Sequence, residues 1–167
     1  MRKLLFISLL ILALSQAGFC QAGLAVTTKD FKPAEGAGWK GTLTYLDYSS
    51  GKPFTMPVEI SMHIVSPAKI IIAYLYPNEP KANDNDTLLI TKSGLEIDGA
   101  RLVSKKIMED GSVQLITDKN GFDGNDHKKA VLRHMYIVGT KSYQNRKEVK
   151  FEGTDKWIMR NEYLFSR

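Results

Sequence analysis

The sequence has little of several features that define other classes of protein. It contains one cysteine, Cys20, so no disulfide can form within the chain. Its 6 prolines and 13 glycines among 167 residues exclude collagen-like and proline-rich disordered chains. The formal net charge is only +5, without a dense basic stripe and interleaved aromatics, so we expect no nucleic-acid partner. With 43% hydrophobic residues, stability must come from one ordinary hydrophobic core.

The one long apolar run lies near the N-terminus, at residues 4–14. It follows the basic pair Arg2-Lys3 and precedes the small-residue stretch Ser15-Gln16-Ala17, an order typical of a secretory signal peptide. The run is about half the length that a membrane-spanning helix needs, so we expect no transmembrane segment in the mature chain. Cleavage after Ala17 or after Ala22 fits the pattern. We prefer Ala22, which makes residues 1–22 the signal peptide.

These features predict a secreted or periplasmic protein. Cys20 follows the apolar run closely, which raises the alternative of a lipid anchor on its thiol. Phe19 precedes this cysteine, whereas lipoprotein signal peptidases generally require Gly, Ala or Ser at that position. The lipid anchor is therefore the less favoured alternative.

From residue 39 onward, the sequence offers a succession of strand-length segments separated by turn residues. In residues 54–65 the even positions are apolar and the odd positions up to His63 are polar, the period of a strand with one buried face. A turn-forming stretch at 49–52 joins it to the preceding segment, 39–48. Further strands are predicted at 69–76, 87–92, 95–97, 101–108, 112–118, 130–139, 147–151 and 157–165.

Eight to ten strands joined by hairpins, with no helix to cover a sheet, must bury their apolar faces against one another. Hairpins throughout favour an all-β fold, an up-and-down antiparallel β-barrel. If the last strand pairs with the first, Arg167 lies beside Trp39 as a cation–π contact at barrel closure. The predicted organisation is an N-terminal strap or plug at 23–38 and a barrel domain at 39–167.

The stretch Gly38-Trp39-Lys40-Gly41, with an arginine at the end of the last strand, resembles the calycin superfamily, which includes lipocalins and fatty-acid-binding proteins. Nearly the whole mature chain is also similar to small exported bacterial proteins of unknown function with a lipocalin-like barrel. This similarity is carried by residues 41–52, 76–80, 146–153 and 157–167. The resemblance implies a lipocalin-like fold and export, and it implies no particular ligand.

A barrel of this size can hold one small apolar molecule. We therefore expect a protein that binds a small hydrophobic ligand without catalysis. The residues assigned to ligand binding are Tyr45, Met62, Met159, Asn161 and Tyr163. The alternative is that side chains fill the barrel completely, as in a structural or protein-interaction module of the cell envelope.

Other kinds of site have little support. The chain lacks a Gly-x-Ser-x-Gly elbow, a glycine-rich phosphate loop and a His-Glu-x-x-His pair, so no catalytic residue is assigned. The Asp- and Asn-rich stretches 83–86 and 118–126 lack the spacing of an EF-hand and are predicted to be plain turns. His134 is the one candidate for an axial haem ligand, but a histidine within the wall or at the surface is favoured. We assign no metal or cofactor.

Overall fold

The computed structural model describes residues 24–167, and the structural statements below concern that part of the chain. The predicted signal peptide and Cys20 lie outside it. Neither helix in the described part has the length and apolar character that would let it span a membrane. The two short 3-10 helices are η1 (Thr28–Ala34) and η2 (Pro80–Ala82). The strands are β1 (Gly36–Asp47), β2 (Lys52–Ser66), β3 (Lys69–Leu75), β4 (Asp84–Leu89), β5 (Glu96–Ile97), β6 (Ala100–Ile107), β7 (Val113–Asp123), β8 (Lys128–Val138), β9 (Ser142–Phe151) and β10 (Ile158–Ser166).

All ten strands belong to one antiparallel sheet in the order β4-β3-β2-β1-β10-β9-β8-β7-β6-β5. Neighbours in the sheet are neighbours in sequence, except that β1 also pairs with β10, from Lys40 opposite Ser166 to Tyr45 opposite Asn161. The all-β, up-and-down antiparallel barrel predicted from the hairpin pattern is therefore confirmed. Each of the ten predicted strand segments overlaps one of the strands.

The barrel is nearly closed, and its seam lies between β4 and β5. A single isolated bridge, between Ile90 and Ile97, joins the two sides. Next to it, the N–H of Asp98 donates to the carbonyl oxygen of Leu89 at 2.8 Å, and its carboxylate accepts from the N–H of Leu89 at 2.7 Å. The remainder of β4 ends the sheet, so among the described residues its outer edge has no strand neighbour.

The apolar core fills the end of the barrel that receives η1. Phe31 and Ala34 of this helix are completely buried, and the ring of Phe31 meets Tyr136 edge-on at 5.9 Å. The indole nitrogen of Trp39 donates to the carbonyl oxygen of Ala34 at 2.8 Å, which fixes the helix to the start of β1. Inward-facing aliphatic side chains complete this core: Val58, Met62, Ile70, Ile72, Leu115 and Val138.

Arg167 fastens the two ends of the described chain at the same place. Its guanidinium carbon lies 4.3 Å from the centre of the Trp39 ring. Its nitrogens donate to three backbone carbonyl oxygens, those of Pro33, Glu35 and Thr140. One C-terminal side chain therefore joins Trp39 of β1, the end of η1 and the turn between β8 and β9.

Gly41 allows β10 to approach β1 closely. It lies opposite Phe165, and a Cβ added to Gly41 would come within 1.9 Å of the carbonyl oxygen of Leu164. Any side chain at this position would push the two closing strands apart.

Parts of the two Asp- and Asn-rich stretches are strand rather than turn. Strand β7 continues to Asp123, which pairs with Lys128, and β4 begins at Asp84, which pairs with Tyr74. The predicted plain turns were wrong for these residues, because ladder pairing with a long neighbouring strand outweighs the local turn preference of Asp and Asn. Asp118 of β7 accepts two hydrogen bonds from Arg133, each 2.8 Å long.

We expect Arg167→Ala to lower the free energy of unfolding by about 1 to 2 kcal/mol, because it removes the cation–π contact and three hydrogen bonds to carbonyls at a partly solvated site. Arg167→Lys should be intermediate, since an ammonium keeps the charge but cannot span three carbonyls. Urea unfolding followed by circular dichroism measures both. Lys141→Ala, which changes a neighbouring exposed side chain, is the control, and equal stability of all four proteins would contradict this account of closure.

A polar pair of cavities at the open end of the barrel

The inward-facing side chains change from apolar to polar along the barrel axis. Residues paired directly across antiparallel strands point to the same face, so the register defines rows of inward side chains. One row at the filled end consists of Val113, Val138, Tyr143, Phe165, Gly41 and Val58. The row four residues away along each strand consists of Thr117, His134, Lys147, Asn161 and Tyr45. The alternation that builds the core therefore also directs polar groups into the interior.

Two adjoining cavities occupy this polar end. The first has a volume of about 350 Å³, and its lining residues are Leu43, Tyr45, Asp123, Lys147, Arg160, Asn161 and Tyr163. The second has a volume of about 340 Å³, and its lining residues are Tyr74, Tyr76, Ala82, Asp84, Asp86, His134, Asn145, Asn161 and Tyr163. Asn161 and Tyr163 stand in the walls of both, so one bound molecule can contact both cavities.

A cluster of one acid and two bases lies in the first cavity. The Asp123 side chain is 7% exposed, and its carboxylate accepts from the ammonium of Lys147 at 2.6 Å. The Nε atom of Arg160 lies 3.3 Å from the same carboxylate, and the N–H of Gly124 donates to it at 2.7 Å. Burial by itself raises the pKa of Asp123, but the hydrogen bonds from Lys147 and Gly124 outweigh it and lower the pKa. The cluster therefore carries one net positive charge.

A β-bulge turns Arg160 into this cavity. Met159 pairs with Glu148 and Asn161 pairs with Lys147, which leaves Arg160 as the extra residue of β10. Arg160 and Asn161 consequently both line the first cavity. The guanidinium of Arg160 also lies over the Tyr48 ring, 3.7 Å from its centre.

A group of tyrosines forms the aromatic wall of the second cavity. The hydroxyls of Tyr76 and Tyr163 are 3.1 Å apart and share a hydrogen bond. The Tyr74 ring lies 5.2 Å from that of Tyr163 and stacks at 12° on that of Tyr76. Burial raises the pKa of both Tyr74 and Tyr163, so these phenols are neutral at pH 7. They offer flat apolar faces together with hydroxyls that can donate or accept.

His134 faces the second cavity from β8. It is paired with Thr117 on one side and Lys147 on the other. Burial in the wall, reinforced by the positive charge of Lys147, lowers the pKa of His134 below its ordinary value. The imidazole is therefore neutral at pH 7, with one nitrogen that donates and one that accepts. Nowhere in residues 24–167 do three His, Cys, Asp or Glu side chains come together as metal ligands would.

The structure brings together three of the five residues assigned to ligand binding from the sequence. Tyr45, Asn161 and Tyr163 line the cavities. Met62 is completely buried in the apolar core, away from both cavities. Met159 lies on the outer face with Glu148 instead of facing the interior, because the extra residue Arg160 shifts the inward–outward alternation of β10 by one position.

Sequence reasoning missed Asp123, Lys147 and Arg160 in the first cavity and Tyr74 and Tyr76 in the second. The signal for Lys147 was available, because it lies an even number of residues from Tyr143 and Val149 and therefore shares the face on which both are buried. The predicted strand began only at residue 147, whereas β9 begins at Ser142, so this alternation was cut short. No comparable signal exists for Arg160, whose orientation depends on the bulge.

A larger groove, of about 580 Å³, lies at the outer face and rim of β7, β8 and β9, between Phe122 and Phe151. Phe122 is 59% exposed there. This groove lacks a cluster of buried polar groups comparable with that around Asp123. The two inner cavities are therefore the better candidate for a specific site.

No family model and no curated protein matches this chain. Among solved structures it is similar to Rv2717c from M. tuberculosis, with 11% sequence identity and a TM-score of 0.48. The similarity covers 87% of this chain and 99% of that one.

We expect His134 to titrate below about 6.5, the ordinary value for histidine, in an NMR titration of its ring protons. Because its pKa is lowered in the fold, the unfolded chain takes up this proton first as the pH falls below about 6.5. The free energy of unfolding therefore decreases progressively on acidification. In His134→Gln this decrease should be smaller. Lys147→Met should raise the midpoint of His134, since it removes a nearby positive charge. A midpoint at or above the ordinary value would contradict the buried placement.

Proposed function

We propose that this protein binds a small organic molecule non-covalently in the two adjoining cavities. The observation that carries the proposal is that the two ends of the barrel interior differ. One end is filled by η1 and aliphatic side chains, while the other contains cavities with Asn161 and Tyr163 in common. Fixed polar groups around a concave aromatic surface are typical of small-molecule sites.

The residues that line the cavities favour a ligand with an aromatic or apolar body that also carries polar substituents. The faces of Tyr74, Tyr76 and Tyr163 suit a ring or a short hydrocarbon body, and its burial stabilises the complex by about 25 cal/mol per Å². The amides of Asn145 and Asn161 suit hydrogen-bonding substituents. The hydrophobic ligand expected from the sequence is therefore refined to an amphipathic one.

The strands that form the walls make the site rigid. Lys147, Asn161 and Tyr45 stand on β9, β10 and β1 at directly paired positions, with Asn161 opposite both Lys147 and Tyr45. A preformed site loses little conformational entropy on binding, which suits sequestration or transport of a ligand. We propose further, on the signal-peptide pattern, that the protein acts outside the cytoplasm.

The uncharged fluorescent probe N-phenyl-1-naphthylamine should bind the protein saturably, at one molecule per chain. Tyr76→Ala should weaken this binding about tenfold, since it removes one aromatic face and the hydroxyl that holds Tyr163. Fluorescence titration measures the affinity, and circular dichroism verifies the fold of each variant.

Phe122→Ala is the matched control, because it removes an aromatic side chain from the outer groove and leaves both inner cavities intact. If Phe122→Ala weakens binding and Tyr76→Ala does not, the outer groove is the binding site. If neither this probe nor any fatty acid binds saturably, the filled-barrel interaction module becomes the better account.

A further inference from the structure

We infer that the ligand carries an anionic group, a carboxylate or a phosphate, which binds to Lys147 and Arg160 in the first cavity. This inference rests on the proposed function and adds the chemical class of the ligand. It comes from the surplus of positive charge and of hydrogen-bond donors around Asp123.

The donors of the two bases exceed what Asp123 can accept. Among the described residues, the side chain of Lys147 makes one hydrogen bond, to Asp123 at 2.6 Å, although an ammonium has three donors. The Nε atom of Arg160 lies 3.3 Å from the same carboxylate. Its guanidinium has four further N–H donors on the two terminal nitrogens. An anion entering the cavity can use donors that the resident carboxylate leaves free.

The setting strengthens an ionic contact. The side chains of Lys147 and Arg160 are 23% and 25% exposed, so both are partly shielded from water. Charge-assisted hydrogen bonds gain in strength where the surroundings are less polarisable than water. Stacking of Arg160 on the Tyr48 ring at 3.7 Å holds the guanidinium in place before a ligand arrives.

The charges also define an orientation for the ligand. Asp84 and Asp86, both exposed, line the second cavity and repel an anion there. The anionic group is therefore directed to the first cavity, where Tyr45 and Asn161 add neutral hydrogen-bonding groups. The body of the same molecule then extends past Tyr163 toward the tyrosine wall of the second cavity.

A pair of probes isolates the charge. 8-Anilinonaphthalene-1-sulfonate and N-phenyl-1-naphthylamine share one ring system and differ by the sulfonate. We expect the sulfonate probe to bind the wild-type protein about tenfold more tightly, the effect of one charge-assisted hydrogen bond. Added salt should weaken binding of the charged probe and leave binding of the neutral probe unchanged.

A series of charge variants tests the residues themselves. Arg160→Gln lowers the net charge of the cluster to zero, and we expect it to weaken binding of the sulfonate probe about tenfold and binding of the neutral probe by much less. Asp123→Asn removes the competing carboxylate and should increase the affinity for the sulfonate probe. The double variant Asp123→Asn/Arg160→Gln restores one net positive charge and should return toward the wild-type affinity. Lys147→Gln serves as a second variant if Arg160→Gln does not fold.

Competition experiments distinguish the two anionic groups. Benzoate and phenyl phosphate should each displace the sulfonate probe from the wild-type protein, and benzyl alcohol, which is uncharged, should displace it only at much higher concentration. The stronger of the two competitors identifies the preferred group.

The outcomes separate this inference from the proposed function. Equal affinity for the two probes, or an equal loss of both in Arg160→Gln, would overturn the anion site while leaving small-molecule binding in place. In that case the cluster around Asp123 serves only to support the barrel wall. Absence of binding for both probes would overturn the proposed function and this inference together.

Discussion

The pairing of β1 with β10 is the constraint on which the other features of this structure depend. It joins the beginning and the end of the described chain, so the sheet curves into a barrel with a single weak seam at Ile90 and Ile97. The described residues contain no cysteine, so closure depends on non-covalent contacts alone. Gly41 permits the close approach, and Arg167, which follows β10, contacts Trp39 of β1 and hydrogen-bonds to the end of η1.

Closure divides the interior into two halves with different chemistry. Helix η1 inserts Phe31 into the end of the barrel at which β1 begins. Aliphatic side chains surround Phe31 and fill that end. At the other end, the inward rows contain His134, Lys147 and Asn161. A buried carboxylate such as Asp123 is tolerated there because two cations and a backbone N–H compensate its loss of hydration. The polar end therefore buries less apolar surface than the filled end, and it contains the cavities in which we propose that a ligand binds.

Particular residues show why some features were predictable and others were not. The alternation in residues 54–65 identified both the strand and its buried face, because every second position is apolar. Strand β8 was ambiguous, since Val131, Met135 and Ile137 place apolar side chains on the outer face as well. Met159 was assigned to the interior by parity, and one extra residue in β10 reversed that assignment. A bulge has no signature in the period of the side chains.

The sequence by itself indicated eight to ten strands in meander order, because period-two alternation and turn residues are local properties. The contact between Trp39 and Arg167 followed only on the condition that the last strand pairs with the first. Only the tertiary structure decided which part of the interior is filled and which polar groups meet. Asp123, Lys147 and Arg160 are far apart along the chain, and the register of four strands and one bulge brings them together. Register is a property of pairs of strands, so it cannot be read from any one of them.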